Sequence, residues 1–174
     1  NTPELIKKPF KEILQILSEV QNPEELEKAK KKIIRIVRGL IAKVEKRQFN
    51  VKELAISMTL SKKLSQYDSW TQPLQAAIQL MQAFPNKEPP TVGSTISFVK
   101  TKPFKIQIPR NTVSEKVAGS TECSVKPIEL ATTADVDIQK IKELIESTFM
   151  QLLDTIGISW NDIQGQTSLT SWFG

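Results

Sequence analysis

The residues whose types and spacing invite a chemical reading are few. Asp135 and Asp137, in the stretch ADVD, form the one pair of neighbouring carboxylates to weigh as a metal-assisted site. Their position argues for another role, because they open a segment of helical apolar periodicity, where acids cap backbone amides and oppose the helix dipole. The single Cys123 lies in TECSVK, with no base beside it and no second cysteine to pair with, and reads as an incidental thiol. The chain has no histidine. That excludes a Ser-His-Asp triad, a histidine-ligated zinc and a histidine general base. With no phosphate-cradling glycine loop either, no catalytic residue is assigned and an independent enzyme is disfavoured.

What remains is binding chemistry. Net charge is +5, unevenly spread: 12 Lys and Arg face 7 Asp and Glu over residues 1–50, 10 face 5 over 51–126, and 2 face 7 over 127–174. A basic body can neutralise phosphates and release their counterions. On charge alone a solvated lysine-rich surface is the commoner explanation. The end of the chain, QTSLTSWFG, sets Trp172 beside Phe173 where termini are usually polar and frayed. These aromatics either fold back onto the chain's own core or are buried in a partner.

The elements that must position these groups follow from periodicity. Thr2-Pro3-Glu4 reads as a helix start with a hydroxyl cap, and Leu5, Ile6, Phe10, Ile13, Leu14, Leu17 and Val20 recur at helical spacing. Asn22-Pro23-Glu24-Glu25 opens a second helix with Ile33, Val37, Leu40 and Val44 on one face. Lysines and arginines from Lys28 to Arg47 occupy the other. The tight turn between them predicts an antiparallel hairpin. Residues 51–56 read as a short helix, and QPLQAAIQLMQAF as a longer one ending before Pro85. Residues 95–99 alternate as a strand, with 105–108 as its expected partner. Residues 109–125 are expected to be a mobile loop, and residues 135–156 a helix terminated by Gly157. The fold class is α+β, mainly helical: a helical hairpin plus further helices packed with a small β-sheet.

Composition is that of a globular chain, 39% hydrophobic and 25% charged. No apolar run is long enough to span a membrane and no signal peptide is evident, so an intracellular, cytoplasmic location without membrane partners is expected. A start at Asn1 rather than Met implies a piece of something longer, or a trimmed chain.

Several stretches, in order, resemble the thumb domain of archaeal family B DNA polymerases: ELAISMTLSKKLSQYD, the helix after QP, VGSTISFVK, then KPIEL and a long helix beginning near an Asp. NTPELIKKPFKEIL looks like the segment that leaves the palm for the thumb. The resemblance implies that the chain grips a primer–template duplex through its phosphates, without reading sequence. It places Lys62, Lys63, Tyr67, Lys100 and Lys102 at the DNA, ahead of the lysines of the second helix. It also implies that Mg2+ is held by palm aspartates absent here, so that no cofactor belongs to this chain. The palm–thumb junction motif is missing, and residues 103–126 are longer than the family's loop. The chain is then an excised thumb or the small subunit of a polymerase encoded in two pieces, with the catalytic part as partner.

Gln166, Leu169, Trp172 and Phe173 are similar to the motif by which replication proteins bind a PCNA-type sliding clamp. One helical turn at this spacing gathers the aliphatic and aromatic side chains to plug a pocket. The expected division is residues 1–163 as thumb and 164–174 as clamp-binding tail. An alternative is a clamp-binding adaptor without polymerase role, whose basic surface is merely solvated.

Overall fold

The computed structural model describes residues 1–108, 111–119 and 122–165. They form mixed helices with one small antiparallel sheet, in two compact units. Residues 50–137, with Asn1, make the first unit, and residues 2–49 with the chain from Ile138 onward make the second.

The second unit is helical. Helix α1 spans Glu4–Ser18 and α2 spans Pro23–Glu45. The expected hydroxyl cap on α1 is not used: Pro3 occupies the cap position with no side-chain hydrogen bond, one residue later than predicted. Asn22 does cap α2, accepting from the Glu25 N–H at 2.8 Å, while Glu25 accepts from the Gln21 N–H. Buried Leu5, Ile6 and Ile13 of α1 meet Ala29, Ile33, Val37, Leu40 and Val44 of α2. Helix α4, Ile138–Thr155, adds Ile141, Ile145, Phe149 and Leu153, and Phe149 packs tilted against Phe10 with ring centroids 5.5 Å apart. Gly157, at φ 80°, ends this run, and Ser159 caps the short α5, Trp160–Ile163. Arg38 donates its guanidinium to the carbonyls of Asp162 and Ile163, tying α5 to α2.

The first unit is a three-stranded sheet in the order β1-β2-β3, where β1 is Ile56–Thr59, β2 is Thr95–Lys105 and β3 is Glu122–Pro127. Helix α3, Gln72–Ala83, covers one face, and Leu74, Ala77 and Ile78 pack against Ile96, Phe98 and Val125. Apart from Ala77, each such side chain removed from water contributes roughly 1.5–3 kcal/mol. The buried Gln75 and Gln79 are satisfied across this layer: Gln75 accepts from the Ser124 N–H at 2.9 Å and Gln79 donates to the Val125 carbonyl at 2.8 Å.

Three local expectations are corrected. The short helix expected over 51–56 is a 3₁₀ turn, Val51–Leu54, and Ile56 already belongs to β1. Residues 105–108 do not pair with β2; Lys105 is its last residue, and its partner β3 comes from the region read as a loop. Within that region Val117 is buried, Ser114 donates to the Tyr67 carbonyl at 2.9 Å, and Lys116 lies 3.6 Å from Asp68, so residues 111–119 are anchored to the core.

Candidate nucleic-acid interface

The five expected contact residues all lie in the first unit, Lys100 and Lys102 on β2 and Lys62, Lys63 and Tyr67 in the segment that follows β1. Strand β1 runs antiparallel to β2 with Ile56 opposite Phe98 and Thr59 opposite Thr95. The chain leaves β1 through Leu60, whose N–H bonds the Ser94 carbonyl and whose carbonyl accepts from Gly93. Gly93 holds φ 87°, the left-handed turn that brings the chain into β2. Lys62 and Lys63 follow at once, both exposed. They therefore sit at the Thr95 end of β2, whereas half-buried Lys100 and exposed Lys102 lie beyond Phe98 at its other end. From Thr95 to Lys102 the strand covers about 24 Å at ~3.4 Å per residue. That is about seven base pairs along a B-form axis. The lysines thus form two stations near opposite ends of β2 rather than a cluster.

Tyr67 does not stand at the surface beside them. It is 8% exposed, packed with Leu60, Leu64 and Leu74, and its phenol oxygen accepts from the Ser61 N–H at 3.1 Å. With Leu64 buried as well, the Ser61–Tyr67 segment is pinned at both ends and presents its two lysines outward. Among the described residues none of Lys62, Lys63, Lys100 and Lys102 is in an ion pair.

Between the two stations lies a feature the sequence reading missed. Ser57 and Ser97 oxygens are 2.7 Å apart and those of Thr59 and Thr95 3.4 Å apart, forming a ladder of hydroxyls across β1 and β2. Ser57, Thr59 and Thr95 are exposed. Serine and threonine hydroxyls are among the groups that can donate to phosphate oxygens without reading bases. The alternation Ile-Ser-Met-Thr carried the signal, but the preceding Glu-Leu-Ala-Ile masked it as helix. The Asn1 side-chain amide donates to the Ser57 carbonyl at 2.9 Å, covering part of this edge strand.

The carboxylate pair is accounted for structurally. Asp135 does not cap α4, as its place before the apolar run implied; it closes the 3₁₀ turn Thr133–Asp135 and accepts from the Thr132 N–H at 2.7 Å. Its other oxygen takes the Lys126 ammonium at 3.2 Å, and that ammonium also lies 5.6 Å from the Phe104 ring centre. Burial pushes the Asp135 carboxyl up, but the Thr132 donors and the Lys126 charge outweigh it and hold the group below its ordinary value. Asp137 is nearly buried, and its N–H donates to the Lys100 carbonyl at 2.9 Å, anchoring β2. Among the described residues no three His, Cys, Asp or Glu side chains gather as metal ligands. Cys123 is wholly buried; that burial raises its thiol to about 11, with the Gln79 amide lowering it in part. The tail residues Gln166, Leu169, Trp172 and Phe173 lie outside the described residues. Among the described residues no helix is long and apolar enough to cross a membrane.

A small antiparallel sheet backed by one helix, with a helical unit built from both ends of the chain, is the frame that carries these cations. The model of the DNA polymerase family B matches residues 1–152, and the chain belongs to that family. It is 30% identical to DNA polymerase 1 of Saccharolobus solfataricus, an alignment covering 99% of this chain and 17% of that protein. It is 34% identical to DNA polymerase 1 of Sulfolobus acidocaldarius, covering 100% and 18%. Among solved structures, the family B DNA polymerase from the hyperthermophilic archaeon Pyrobaculum calidifontis shares its fold at a TM-score of 0.56 and 18% identity, over 82% of this chain and 16% of that one. The chain therefore spans less than a fifth of the length of these relatives.

Proposed function

We propose that this chain is the thumb of a family B DNA polymerase, holding a primer–template duplex by its phosphates behind a catalytic palm formed by other residues. The observation that carries this reading is the exposed Lys62–Lys63 pair on a segment pinned by buried Tyr67, beside the exposed hydroxyl ladder of β1 and β2. A polymerase moves along every sequence, so its grip must favour backbone over bases, and lysine and hydroxyl groups supply that. Tyr67 acts as a positioning residue and half-buried Lys100 as a flanking charge. Phosphoryl transfer and its Mg2+ belong to the palm. The tail from residue 164, with Gln166, Leu169, Trp172 and Phe173, tethers the polymerase to a PCNA-type clamp, raising its effective concentration at DNA.

The test is fluorescence anisotropy of a labelled duplex with the 174-residue chain across a salt series. A Lys62→Gln, Lys63→Gln, Lys102→Gln variant should lower the slope of log affinity against log salt by about 2.7, roughly 0.9 per contact. A native chain with a flat salt response would sink the phosphate grip. Clamp binding is measured beside it with a Leu169→Ala, Trp172→Ala, Phe173→Ala variant, which should lose the clamp and keep the duplex. Clamp binding with no duplex affinity would leave the adaptor reading instead.

A further inference from the structure

Helices α2, α4 and α5 enclose a groove of about 630 Å³ that lies wholly within the helical unit. Its apolar lining is Ile41 and Ala42 of α2 with Trp160 and Ile163 of α5. Ile163 is buried, whereas the other three are only half-buried, so an indole and two aliphatic side chains still meet water. A further apolar group laid on them would remove that surface from water. The charges around the groove are already engaged. Lys142 pairs with Glu45 at 3.5 Å, Glu143 lies 3.9 Å from Lys140, and the Arg38 guanidinium holds the carbonyls at the end of α5. Counting Glu146, the lining carries three carboxylates against two cations. Such a rim repels a polyanion and suits an uncharged segment with apolar anchors.

The chain itself arrives at this groove. Gly165 lines it, half-buried and at φ 79°, the left-handed conformation that turns the backbone as it leaves α5. That exit point is held in place, since the Gln164 N–H bonds the Trp160 carbonyl at 3.0 Å and Arg38 ties Asp162 and Ile163 to α2. Residues 166–174, QTSLTSWFG, follow at once. They contain no charged side chain, and their large apolar residues are Leu169, Trp172 and Phe173.

We propose that the α2–α4–α5 groove is the docking site of the chain's own residues 166–173, which lie along it with Leu169, Trp172 and Phe173 on Ile41, Ala42 and Trp160. In a helical turn those three anchors, at i, i+3 and i+4, share one face. Seven steps at ~1.5 Å make the segment about 10 Å long, the same as the stretch of α2 from residue 38 to residue 45 that walls the groove. A segment joined to the groove at its edge has an effective concentration there on the order of millimolar, which a free peptide or a second copy at micromolar concentration does not match. The consequence rests on the clamp-tether reading above: the face laid on the groove is the face that enters the clamp, so the two sites exclude each other. A groove filled about nine-tenths of the time weakens clamp binding about tenfold, because apparent affinity scales with the free fraction.

The experiment uses the full 174-residue chain and a PCNA-type clamp. Under mild oxidation an Ala42→Cys, Ser171→Cys variant should close an internal disulfide far faster than Lys43→Cys, Ser171→Cys, whose first thiol sits one residue on and about 100° further round α2, on the exposed side. Cys123 is wholly buried and does not compete. An Ile41→Gln, Ala42→Gln variant, which removes the apolar lining without changing charge, should bind the clamp about tenfold more tightly than the native chain. The Leu169→Ala, Trp172→Ala, Phe173→Ala variant should melt a few degrees lower than the native chain, a readout that needs no change in the groove. Equal closure rates at the two positions, or a tail variant that melts with the native chain, overturn the inference and leave the clamp tether standing. Native clamp affinity in the folded groove variant overturns the competition. Selective closure with no clamp binding by any variant keeps the groove contact and removes the tether instead.

Discussion

Replacing Tyr67 by phenylalanine removes one oxygen and leaves every charge in place. That oxygen accepts the Ser61 N–H at 3.1 Å, at the start of the segment that carries Lys62 and Lys63. Ser61 is exposed, so water takes over its N–H and the loss is one ordinary hydrogen bond, about 1 kcal/mol. Most of it should appear as local opening, because Leu64 stays buried and the Ser114 hydroxyl still holds the Tyr67 backbone carbonyl. If the segment must be closed for both lysines to reach phosphates, duplex affinity falls with the closed fraction, by up to about fivefold for that energy. The salt slope must not change, since no phosphate contact is lost. Anisotropy titrations at several salt concentrations, with a thermal melt of each protein, separate the two quantities. A shallower slope in Tyr67→Phe would show that a lysine has lost its phosphate, because a neutral phenol releases no counterion. Unchanged affinity, against a clear loss in Lys62→Gln, Lys63→Gln, would refute the pinning argument outright.

Other perturbations have equally definite outcomes. Phe149→Ala empties a wholly buried site beside Phe10 and should destabilise the helical unit by about 3–5 kcal/mol in denaturant melts. Asp135→Ala should cost about 1 kcal/mol at neutral pH through the lost turn cap. Because the folded carboxyl is depressed, that contribution is present above the unfolded value near ~3.9 and disappears as pH falls through the folded one, so native and variant melts should converge in acid. The Cys123 thiol should resist thiol reagents in the folded chain and react on unfolding. Its pKa is raised from 9.0 to about 11, so its contribution is intact below pH 9.0 and is lost as pH rises toward 11, a loss that Cys123→Ser should not show.

How much of this was legible beforehand depended on whether a signal was local. Asn22 with Pro23, Gly157 with its positive φ, and the apolar stripes of α2 and α4 are all set by neighbours within a turn, and they stand where periodicity placed them. Strand pairing is not local. Residues 105–108 were the near candidate for β2, but the partner is β3, reached across a long connection whose Ser, Glu and Gly content hides Cys123, Val125 and Pro127 as core positions. β1 was lost for a related reason: four residues have too few turns of any period to decide between helix and strand, and the sheet supplies the decision. For the site, the charges were readable and their support was not. An alternation of lysines says nothing of a buried phenol holding them, nor does a pair of threonines announce that their hydroxyls will meet across a ladder.

The chain path also bears on how the protein comes to be folded at all. The sheet unit is inserted between α2 and α4, so the helical unit cannot close until the ribosome has delivered residues beyond Leu153. Until then Ile33, Val37 and Val44 have only α1 to shelter them, while the sheet unit already has every strand it needs once Pro127 has emerged. The inserted unit should therefore fold first, removing the entropy of a long disordered loop from the closure of α2 on α4. Circular permutants opened between β1 and α3 would reverse that order. They should reach the same native state more slowly, with the cost in the folding rate rather than in stability.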